Sequence, residues 1–280
     1  MTPTPEIAVT GATGTIGRGV AERLAADGVR QRLVVRDPTR VPHLPGADVR
    51  VASYGDFESA RTALDGVETL FMVSASEHPD RLSQHRAFVT AAVAAGIARI
   101  VYLSFYGASE HATFLLVRDH WQTEQHIALA GVAYTFLRDN LYADFLPLMA
   151  GPDGVIRGPA SDGRVGAVAQ RDVMEVASTV LMEPAAHNMA TYEITGPESL
   201  TLAEAAEIVG RETGRAMTYE PQTVEQAFAS RAGAGAPDWL VAAWVSTYTA
   251  IAAGELDGVS DHVRQITGHE PLSLERLFGH

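Results

Sequence analysis

The stretch VTGATGTIGRG, residues 9–19, decides the fold of this chain. Its first three glycines, Gly11, Gly14 and Gly17, follow the β-rich run EIAVT (6–10) and lead into a helical apolar pattern. In a strand–loop–helix of this kind, one glycine permits the tight turn, another lets backbone N–H groups approach a pyrophosphate, and the third lets the helix pack close to the strand. The spacing G-x-x-G-x-x-G is less specific than G-x-G-x-x-G, so the surrounding strand and helix are what favour a ligand site over a plain glycine-rich turn. We predict that a dinucleotide binds at Gly11, Thr13, Gly14, Thr15, Ile16 and Gly17.

Short β-rich runs alternate with helical patterns through the first half of the chain, which is typical of βαβ units and a parallel sheet. The predicted strands are EIAVT (6–10), RLVV (32–35), DVRVA (48–52), TLFMVS (69–74), RIVYLS (99–104) and YTFLR (134–138). The first helix is expected to end at Asp27-Gly28, because glycine is the usual residue just past a helix C-terminus. These elements predict a Rossmann-type, doubly wound parallel sheet.

The pattern changes from about residue 140. The glycine- and proline-rich stretch 151–166 predicts loops around a short strand, and a helix over 172–182 and a strand near Tyr192 follow it. Capping-box patterns then begin two helices, at Thr201 with Glu204 and at Thr223 with Gln226. We predict an α/β fold with a Rossmann domain over residues 1–140 and a returning segment at about 165–197, and a small mixed α/β C-terminal substrate lobe over 141–164 and 198–280.

Composition excludes several classes of function. The formal net charge of −13 disfavours binding to nucleic acid or to an anionic membrane surface. No apolar run is long enough to cross a bilayer, and the start MTPTPEIAV lacks the basic region and apolar run of a secretory signal. Without cysteine or an H-E-x-x-H pattern, no metal site is predicted. We expect a cytoplasmic protein.

All 21 basic residues are arginine, which bears on the choice of cofactor. In NAD-selective sites an acidic residue about 20 positions past the glycine loop holds the ribose hydroxyls. Here the second predicted strand runs into Arg36, whose guanidinium suits a 2′-phosphate by its charge and its fork of donors. Asp37 leaves a ribose contact open, and Arg40 is a candidate for a second phosphate partner. We predict NADP(H) as the cofactor.

Further stretches carry a resemblance to a known family. YGDFESARTALDGVETLFMVSAS, AAGIARIVYLS, DHWQTEQHI, GVAYTFLRDNLYADFLP and ITGHEPLSLERLF, together with the glycine loop, resemble the NmrA-like, atypical branch of the short-chain dehydrogenase/reductase superfamily. Within that branch they are most similar to the NAD(P)H:quinone oxidoreductase and triphenylmethane reductase group. The resemblance covers essentially the whole chain and implies an NADPH-dependent reductase whose partner is a small-molecule aromatic acceptor, with a homodimer as the assembly to test.

The resemblance also implies roles for matching residues. The cofactor's adenine would meet Asp56 and Phe57, its ribose Val73 and Ser74, and its nicotinamide Ser104. Each has a plainer alternative: Asp56 is equally suited to cap the next helix, and Val73 to fill the core. The residues implied to line the substrate pocket are Phe105, Tyr106, Asn140 and Tyr142. For the three aromatic residues among them, packing in the core is the plainer alternative.

The chain contains no lysine, so it cannot form the Tyr-x-x-x-Lys pair of most short-chain dehydrogenases. The family's lysine position corresponds to Glu124 or Gln125. A quinone or a triphenylmethane cation escapes this problem, since the first gives an anion that water protonates easily and the second needs no proton. The remaining candidates for catalysis are Tyr106 and the pair His120 and Glu124, which are four positions apart on one helix face; a structurally paired histidine is the alternative.

Three functions fit these observations. The leading one is an NADPH-dependent reductase that transfers hydride to a quinone or another electron-poor aromatic acceptor without a Tyr-Lys pair. The second is a non-catalytic NADP(H)-binding redox sensor of the NmrA type. The third is a biosynthetic reductase or epimerase that acts on one specific metabolite.

Overall fold

A computed structural model describes residues 7–233 and 235–279 of the chain, so Glu6, the first residue of the first predicted strand, lies outside the described residues. The strands are β1 Ile7–Thr10, β2 Gln31–Val35, β3 Ala47–Val51, β4 Thr69–Val73, β5 Arg99–Phe105, β6 Ala133–Asp139, β7 Val155–Gly158, β8 Arg164–Val165, β9 Ala190–Ile194, β10 Leu200–Thr201 and β11 Thr218–Pro221. The helices are α1 Thr15–Ala26, α2 Phe57–Leu64, α3 Arg81–Ala94, α4 Leu115–Leu129, α5 Leu146–Met149, α6 Gln170–Met182, α7 Leu202–Thr213, α8 Val224–Arg231, α9 Asp238–Ala252, α10 His262–Thr267 and α11 Leu274–Phe278.

Seven strands form one sheet in the order β3-β2-β1-β4-β5-β6-β9. The pairs from β3 to β5 are parallel, and Ile7 of β1 lies opposite Gln31 on one side and Thr69 on the other. The strand order reverses between β1 and β4, which is the point where open α/β sheets bind dinucleotides. The predicted Rossmann-type fold is confirmed, and all six strands predicted in the first half form within a residue or so of their expected bounds.

The chain divides into two compact units. The first unit comprises the described residues up to Ser104, with Asp119–Arg138 and Val173–Tyr192. The second comprises Phe105–Arg118, Asp139–Asp172 and the described residues from Glu193 onward. The segment after β5 therefore groups with the second unit, although the sequence pattern assigned it to the nucleotide domain.

Contacts with the C-terminal part of the chain explain that grouping. Thr113 donates from its backbone N–H and from its hydroxyl to the Glu255 carboxylate, at 2.8 and 2.5 Å. The backbone N–H of Leu115 donates to the Ser246 hydroxyl at 3.1 Å. These partners lie more than 130 positions away along the chain, so strand and helix patterns in the sequence carry no sign of them.

The first unit is built on buried strands. β1 and β2 are buried at every position, as expected of central parallel strands covered on both faces. Leu64, Phe88 and Ile127 of the flanking helices are fully buried against the sheet. Helix α1 ends where the sequence predicted, with Asp27 as its C-cap and Gly28 at φ +75°.

The second unit holds two small sheets of two strands each, β7 with β11 in parallel and β8 with β10 antiparallel. Its core includes Ile156, Leu202 and Ile251. Both predicted capping boxes are present, at the starts of α7 and α8. No helix among the described residues is long and apolar enough to cross a membrane.

Candidate functional site

The glycine loop folds tightly between β1 and α1. Gly11 has φ +67°, and its carbonyl oxygen accepts a hydrogen bond from the Gly14 N–H at 2.8 Å. A Cβ on Gly11 would lie 3.0 Å from Cβ of Val73 on β4. A Cβ on Gly17 would lie 2.4 Å from the Gly11 carbonyl, which no real side chain tolerates. The first and third glycines are therefore required by the turn and by helix–strand contact, as the sequence predicted.

The middle glycine leaves the start of α1 open. Gly14 is the N-cap residue and, lacking a side chain, leaves the N–H groups of the first helical turn without a cap from that position. Thr13 is half-buried, Gly14 and Thr15 are exposed, and Ile16 is buried in the core, so Ile16 offers a ligand only its backbone. An uncapped helix N-terminus of this kind has the charge and the donors to bind a pyrophosphate.

Arginines surround the turn that follows β2. Arg36 is exposed, and no carboxylate of the described residues forms an ion pair with it. Asp37 instead accepts from the N–H and the hydroxyl of Thr39, at 3.0 and 2.6 Å, and these hydrogen bonds hold its pKa below the ordinary value. Arg18, which sequence reasoning missed, donates from Nη2 to the Arg40 carbonyl at 3.2 Å and so lies beside the same turn. The pattern to notice was that Arg18 begins the second turn of α1, directly after the glycine loop.

The predicted adenine contacts lie at the start of α2. Asp56 is the N-cap of this helix, and its carboxylate accepts from the Ser59 N–H at 3.1 Å, which lowers the pKa of Asp56. The capping alternative is therefore confirmed. Phe57 is half-buried and packs against the core of the first unit. Contact of either side chain with adenine stays a prediction.

The end of β4 is held by polar side chains. The Val73 N–H donates to Oγ1 of Thr10 at 2.9 Å, and Oη of Tyr54 donates to the Val73 carbonyl at 2.5 Å. Tyr54 also stacks on Phe88, with ring centroids 4.1 Å apart, and burial raises its pKa. Val73 and the following Ser74 are half-buried. Sequence reasoning identified Val73 and Ser74 but gave no sign of Tyr54.

Two side chains of α3 bind the backbone of Ala75, two residues past the end of β4, and form a clamp on it. Nε2 of His85 accepts from the Ala75 N–H at 2.8 Å, and Nε of Arg81 donates to the Ala75 carbonyl at 3.0 Å. Burial, with the charge of Arg81, lowers the pKa of His85 to about 3. His85 is therefore neutral near pH 7 and keeps the unprotonated nitrogen that Ala75 requires.

His120 lies in the interior of the first unit, on α4. Its Nε2 is 2.8 Å from Nη2 of Arg81, and its Nδ1 is 3.0 Å from Oη of Tyr102. Because arginine only donates, Nε2 accepts and the ring proton sits on Nδ1. Burial, Arg81 and His85 together lower the pKa of His120 well below its ordinary value. These contacts favour the alternative of a structurally paired histidine, and the acid role stays a prediction.

Glu124, one of the two residues that correspond to the family's lysine position, forms an ion pair. Its carboxylate accepts from Nε and Nη2 of Arg138, at 2.8 and 2.6 Å, and from the hydroxyl of Ser104 at 2.5 Å. Glu124 and Ser104 are both 1% exposed. The Ser104 hydroxyl is thus used inside the protein, and the two orienting donors of Arg138 are typical of a structural pair.

Phe105 and Tyr106, predicted to line the substrate pocket, belong to the second unit and are half-buried. The ring of Phe105 meets that of Phe114 edge to face, with centroids 5.3 Å apart. Oη of Tyr106 lies 3.5 Å from the Asp257 carbonyl. Burial is the main reason that the pKa of Tyr106 is raised. Both rings pack on the core of their unit, so a substrate can meet at most part of each face.

Asn140 and Tyr142 follow β6 and differ in burial and in the hydrogen bonds of their side chains. The Asn140 amide is buried, donates to the Leu256 carbonyl at 3.1 Å and accepts from the Leu141 N–H at 2.8 Å. Tyr142 is half-buried, and its hydroxyl is bonded to the carboxyl of Asp139. Burial raises the pKa of Asp139 to about 8. Sequence reasoning missed Asp139, although an acidic residue at the end of a buried strand was a visible signal.

Comparison with known proteins places the chain in a family. A model of the NmrA-like family matches residues 3–241, and the chain belongs to that family. The residues that the match spans include the glycine loop, the arginine turn after β2, and the residues that follow β6.

Three of the proteins similar to this chain are named as reductases. A solved structure of an NADPH-dependent quinone oxidoreductase from Escherichia coli, complexed with NADPH, is 31% identical with a TM-score of 0.88, and covers 97% of this chain and 98% of that one. An NAD(P)H azoreductase from Xenophilus azovorans is 32% identical over 94% of this chain and 93% of its own length. The triphenylmethane reductase of Citrobacter sp., complexed with NADP(H), is 29% identical with a TM-score of 0.85 over 97% and 98% of the two chains.

Proposed function

We propose that this protein is an NADPH-dependent reductase that transfers hydride to a quinone or another electron-poor aromatic acceptor. The observation that carries the proposal is the open N-terminus of α1 above its glycine turn, with the exposed Arg36 after β2 where an NAD-selective site has a carboxylate. These residues fit a dinucleotide with a 2′-phosphate.

Each part of the first unit has a distinct task in binding. The N–H groups at the start of α1 bind the pyrophosphate, and Arg36 with Arg18 and Arg40 binds the 2′-phosphate. Asp37, held by Thr39, does not compete for the ribose. Val73 and Ser74, at the end of β4, hold the ribose side of the cofactor. Bound NADPH supplies the hydride.

The proposed class of acceptor is one whose reduction by hydride needs little general acid catalysis. Three similar proteins bear the names of a quinone, an azo and a triphenylmethane reductase, and their acceptors share an electron-poor conjugated system. This chain has no lysine, and Glu124, one of the two candidates for the family's lysine position, is held in an ion pair with Arg138. The second unit offers the half-buried rings of Phe105, Tyr106 and Tyr142 as flat surfaces that would orient such an acceptor.

Several finer points rest on the sequence alone. The homodimer, the cytoplasmic location and the lack of nucleic-acid binding stay predictions, as do the roles of Tyr106, His120 and Glu124 in catalysis. The contacts of His120 and Glu124 favour roles in holding α4 to its neighbours.

An acceptor panel tests the function. We expect the purified protein to oxidise NADPH, followed at the NADPH absorbance band, when given benzoquinone or a cationic triphenylmethane dye. Tight NADPH binding with no turnover on any acceptor would contradict the proposal and favour the redox sensor. Turnover with one metabolite and none with aromatic acceptors would favour the biosynthetic enzyme.

Two variants test the cofactor site by calorimetry. Arg36→Asp should weaken NADPH by about 2–3 kcal/mol, the value of a charged hydrogen bond plus repulsion, and NADH much less. Equal weakening of both would remove Arg36 from the 2′-phosphate site. Gly14→Val should fold, because a Cβ there lies 3.5 Å from its nearest neighbour, the Gly11 oxygen, yet should abolish cofactor binding by covering the helix N-terminus. Retained binding would show that the loop holds something else.

A further inference from the structure

Asp139 is the last residue of β6, at the carboxyl end of the sheet, where open α/β folds bind their ligands. Its side chain is 3% exposed, and its side-chain partner is the hydroxyl of Tyr142, three residues further on. The preceding residue, Arg138, points to the opposite face of the strand, where it binds Glu124. No cation of the described residues forms an ion pair with Asp139, so its carboxylate is not neutralised by one.

The charges around this pair all favour the proton-bound form. Burial and the neighbouring Asp139 carboxyl raise the pKa of Tyr142 well above its ordinary value, and the negative charge of the Asp144 carboxylate raises it further. The backbone N–H of Asp139 itself is the other donor to its carboxyl, and burial outweighs both donors to raise the pKa of Asp139 to about 8. A carboxyl group buried with only neutral donors keeps its proton, since the charged form is poorly solvated.

The hydrogen-bond geometry gives this proton a direction. When Asp139 is ionised, the Tyr142 hydroxyl donates to Oδ2. When Asp139 is protonated, Oδ2 donates to the same phenol oxygen, and the phenol hydrogen is released to point away from the strand. Tyr142 is half-buried, and its ring meets that of the exposed Phe145 edge to face, so the buried acid is bonded to a residue that is itself partly exposed.

We propose that Tyr142 and Asp139 form a proton-delivery pair for the reduced acceptor, in place of the tyrosine–lysine pair that a lysine-free chain cannot form. The proposal rests on the proposed reductase function. Tyr142 gives the proton, and Asp139 acts through Tyr142.

An acceptor that has taken up a hydride carries one negative charge, on oxygen for a quinone or on nitrogen for an azo compound. The Oη–H bond of Tyr142 breaks as the new O–H or N–H bond of the product forms. The Oδ2–H bond of Asp139 breaks as its proton moves to Oη. The remaining carboxylate regains a proton from water once product leaves.

The value of the pair depends on how basic the reduced acceptor is. The nitrogen anion from an azo compound is strongly basic and needs a donor in place. The hydroquinone anion is weakly basic, and water protonates it easily. A triphenylmethane cation becomes neutral on taking hydride and needs no proton. The three acceptors therefore rank the demand for the pair from large to none.

The test compares an azobenzene dye with a cationic triphenylmethane dye on the same variants. We expect Asp139→Asn and Tyr142→Phe to lower kcat for the azo dye by about a hundredfold, the low end of what general acid catalysis contributes, and to lower kcat for the cationic dye much less, so that the ratio of the two falls. With wild-type protein, kcat for the azo dye should fall above about pH 8 while that for the cationic dye stays level. An equal loss with both dyes would mark a structural role and overturn the pair.

Two controls separate folding and function from proton delivery. Tyr219→Phe also removes a phenol from the second unit, one that donates to the Gly158 carbonyl at 2.7 Å, and should leave the ratio of the two dyes unchanged. Turnover of the cationic dye by wild-type protein establishes the reductase function, so a failure of the pair and a failure of the function are distinguishable. Infrared titration adds a readout apart from activity: a protonated-carboxyl band, absent from Asp139→Asn, should persist at pH 7. If the variant and the wild type show the same band, Asp139 is ionised and the proposal fails.

Discussion

Two buried carboxyl groups, Glu124 in the first unit and Asp139 in the second, have opposite surroundings. Glu124 is 1% exposed and receives two donors from the guanidinium of Arg138, together with the Ser104 hydroxyl. Asp139 is 3% exposed and has the phenol of Tyr142. A guanidinium makes a buried carboxylate a fixed structural anion, whereas a neutral partner leaves the carboxyl able to hold and release a proton.

The largest effect is expected when Glu124, in the first unit, loses the guanidinium that binds it. Arg138→Met should lower the free energy of unfolding by about 3–5 kcal/mol, because it leaves Glu124 charged and buried without its partner. Urea denaturation measures the loss. The double variant that adds Glu124→Met should recover much of it, since two apolar side chains then replace the pair. A loss below about 1 kcal/mol for the single variant would show that the pair is solvated.

The dependence of the free energy of unfolding on pH tests the contrast at Asp139, in the second unit. Folded Asp139 keeps its proton up to about pH 8, while an unfolded aspartate releases it near pH 4. The folded chain thus binds more protons between these values, and this group makes the free energy of unfolding fall by about 1.4 kcal/mol per pH unit as pH rises.

Asp139→Asn removes this slope. Relative to wild type, the variant should therefore gain about 2–3 kcal/mol of stability between pH 6 and pH 8, and no more above that. Urea unfolding at several pH values measures the difference. Parallel curves for the two proteins over this range would mean that Asp139 titrates normally and would erase the contrast with Glu124.

A smaller effect is expected at His120, in the first unit, where a substitution distinguishes a structural role from a catalytic one. His120→Ala removes the partner of Arg81 and of Tyr102, and should cost about 1–3 kcal/mol of unfolding free energy. Reduction of benzoquinone should be largely kept, because water can supply that proton. A loss of about a hundredfold in kcat, with stability intact, would instead identify His120 as the acid.

The sequence predicted those features that local patterns encode. The glycine loop, the strands of the sheet, the C-cap at Gly28 and both capping boxes each depend on a few adjacent residues and a fixed period. The glycine loop with Arg36 predicted the cofactor, and the family resemblance supplied the class of acceptor. The position of Arg36 followed from counting along one strand–loop–helix unit.

The remainder depends on contacts between distant positions. Arg138 meets Glu124 across 14 positions, and Arg81 meets His120 across 39. A helical spacing of four placed His120 and Glu124 on one face, but it could not show that this face is turned inward. Whether a side chain reaches solvent is set by the neighbouring elements, and these were not readable from one stretch.

The clamp on Ala75 has a consequence for how a cofactor would be received. Both backbone polar groups of this residue, its N–H and its carbonyl, are already bonded to side chains of α3, one of them a histidine that burial keeps uncharged. The strand end that precedes it is thus rigid before any ligand arrives. Affinity is then not diminished by the entropy of ordering that segment, and a dinucleotide would meet a preformed surface.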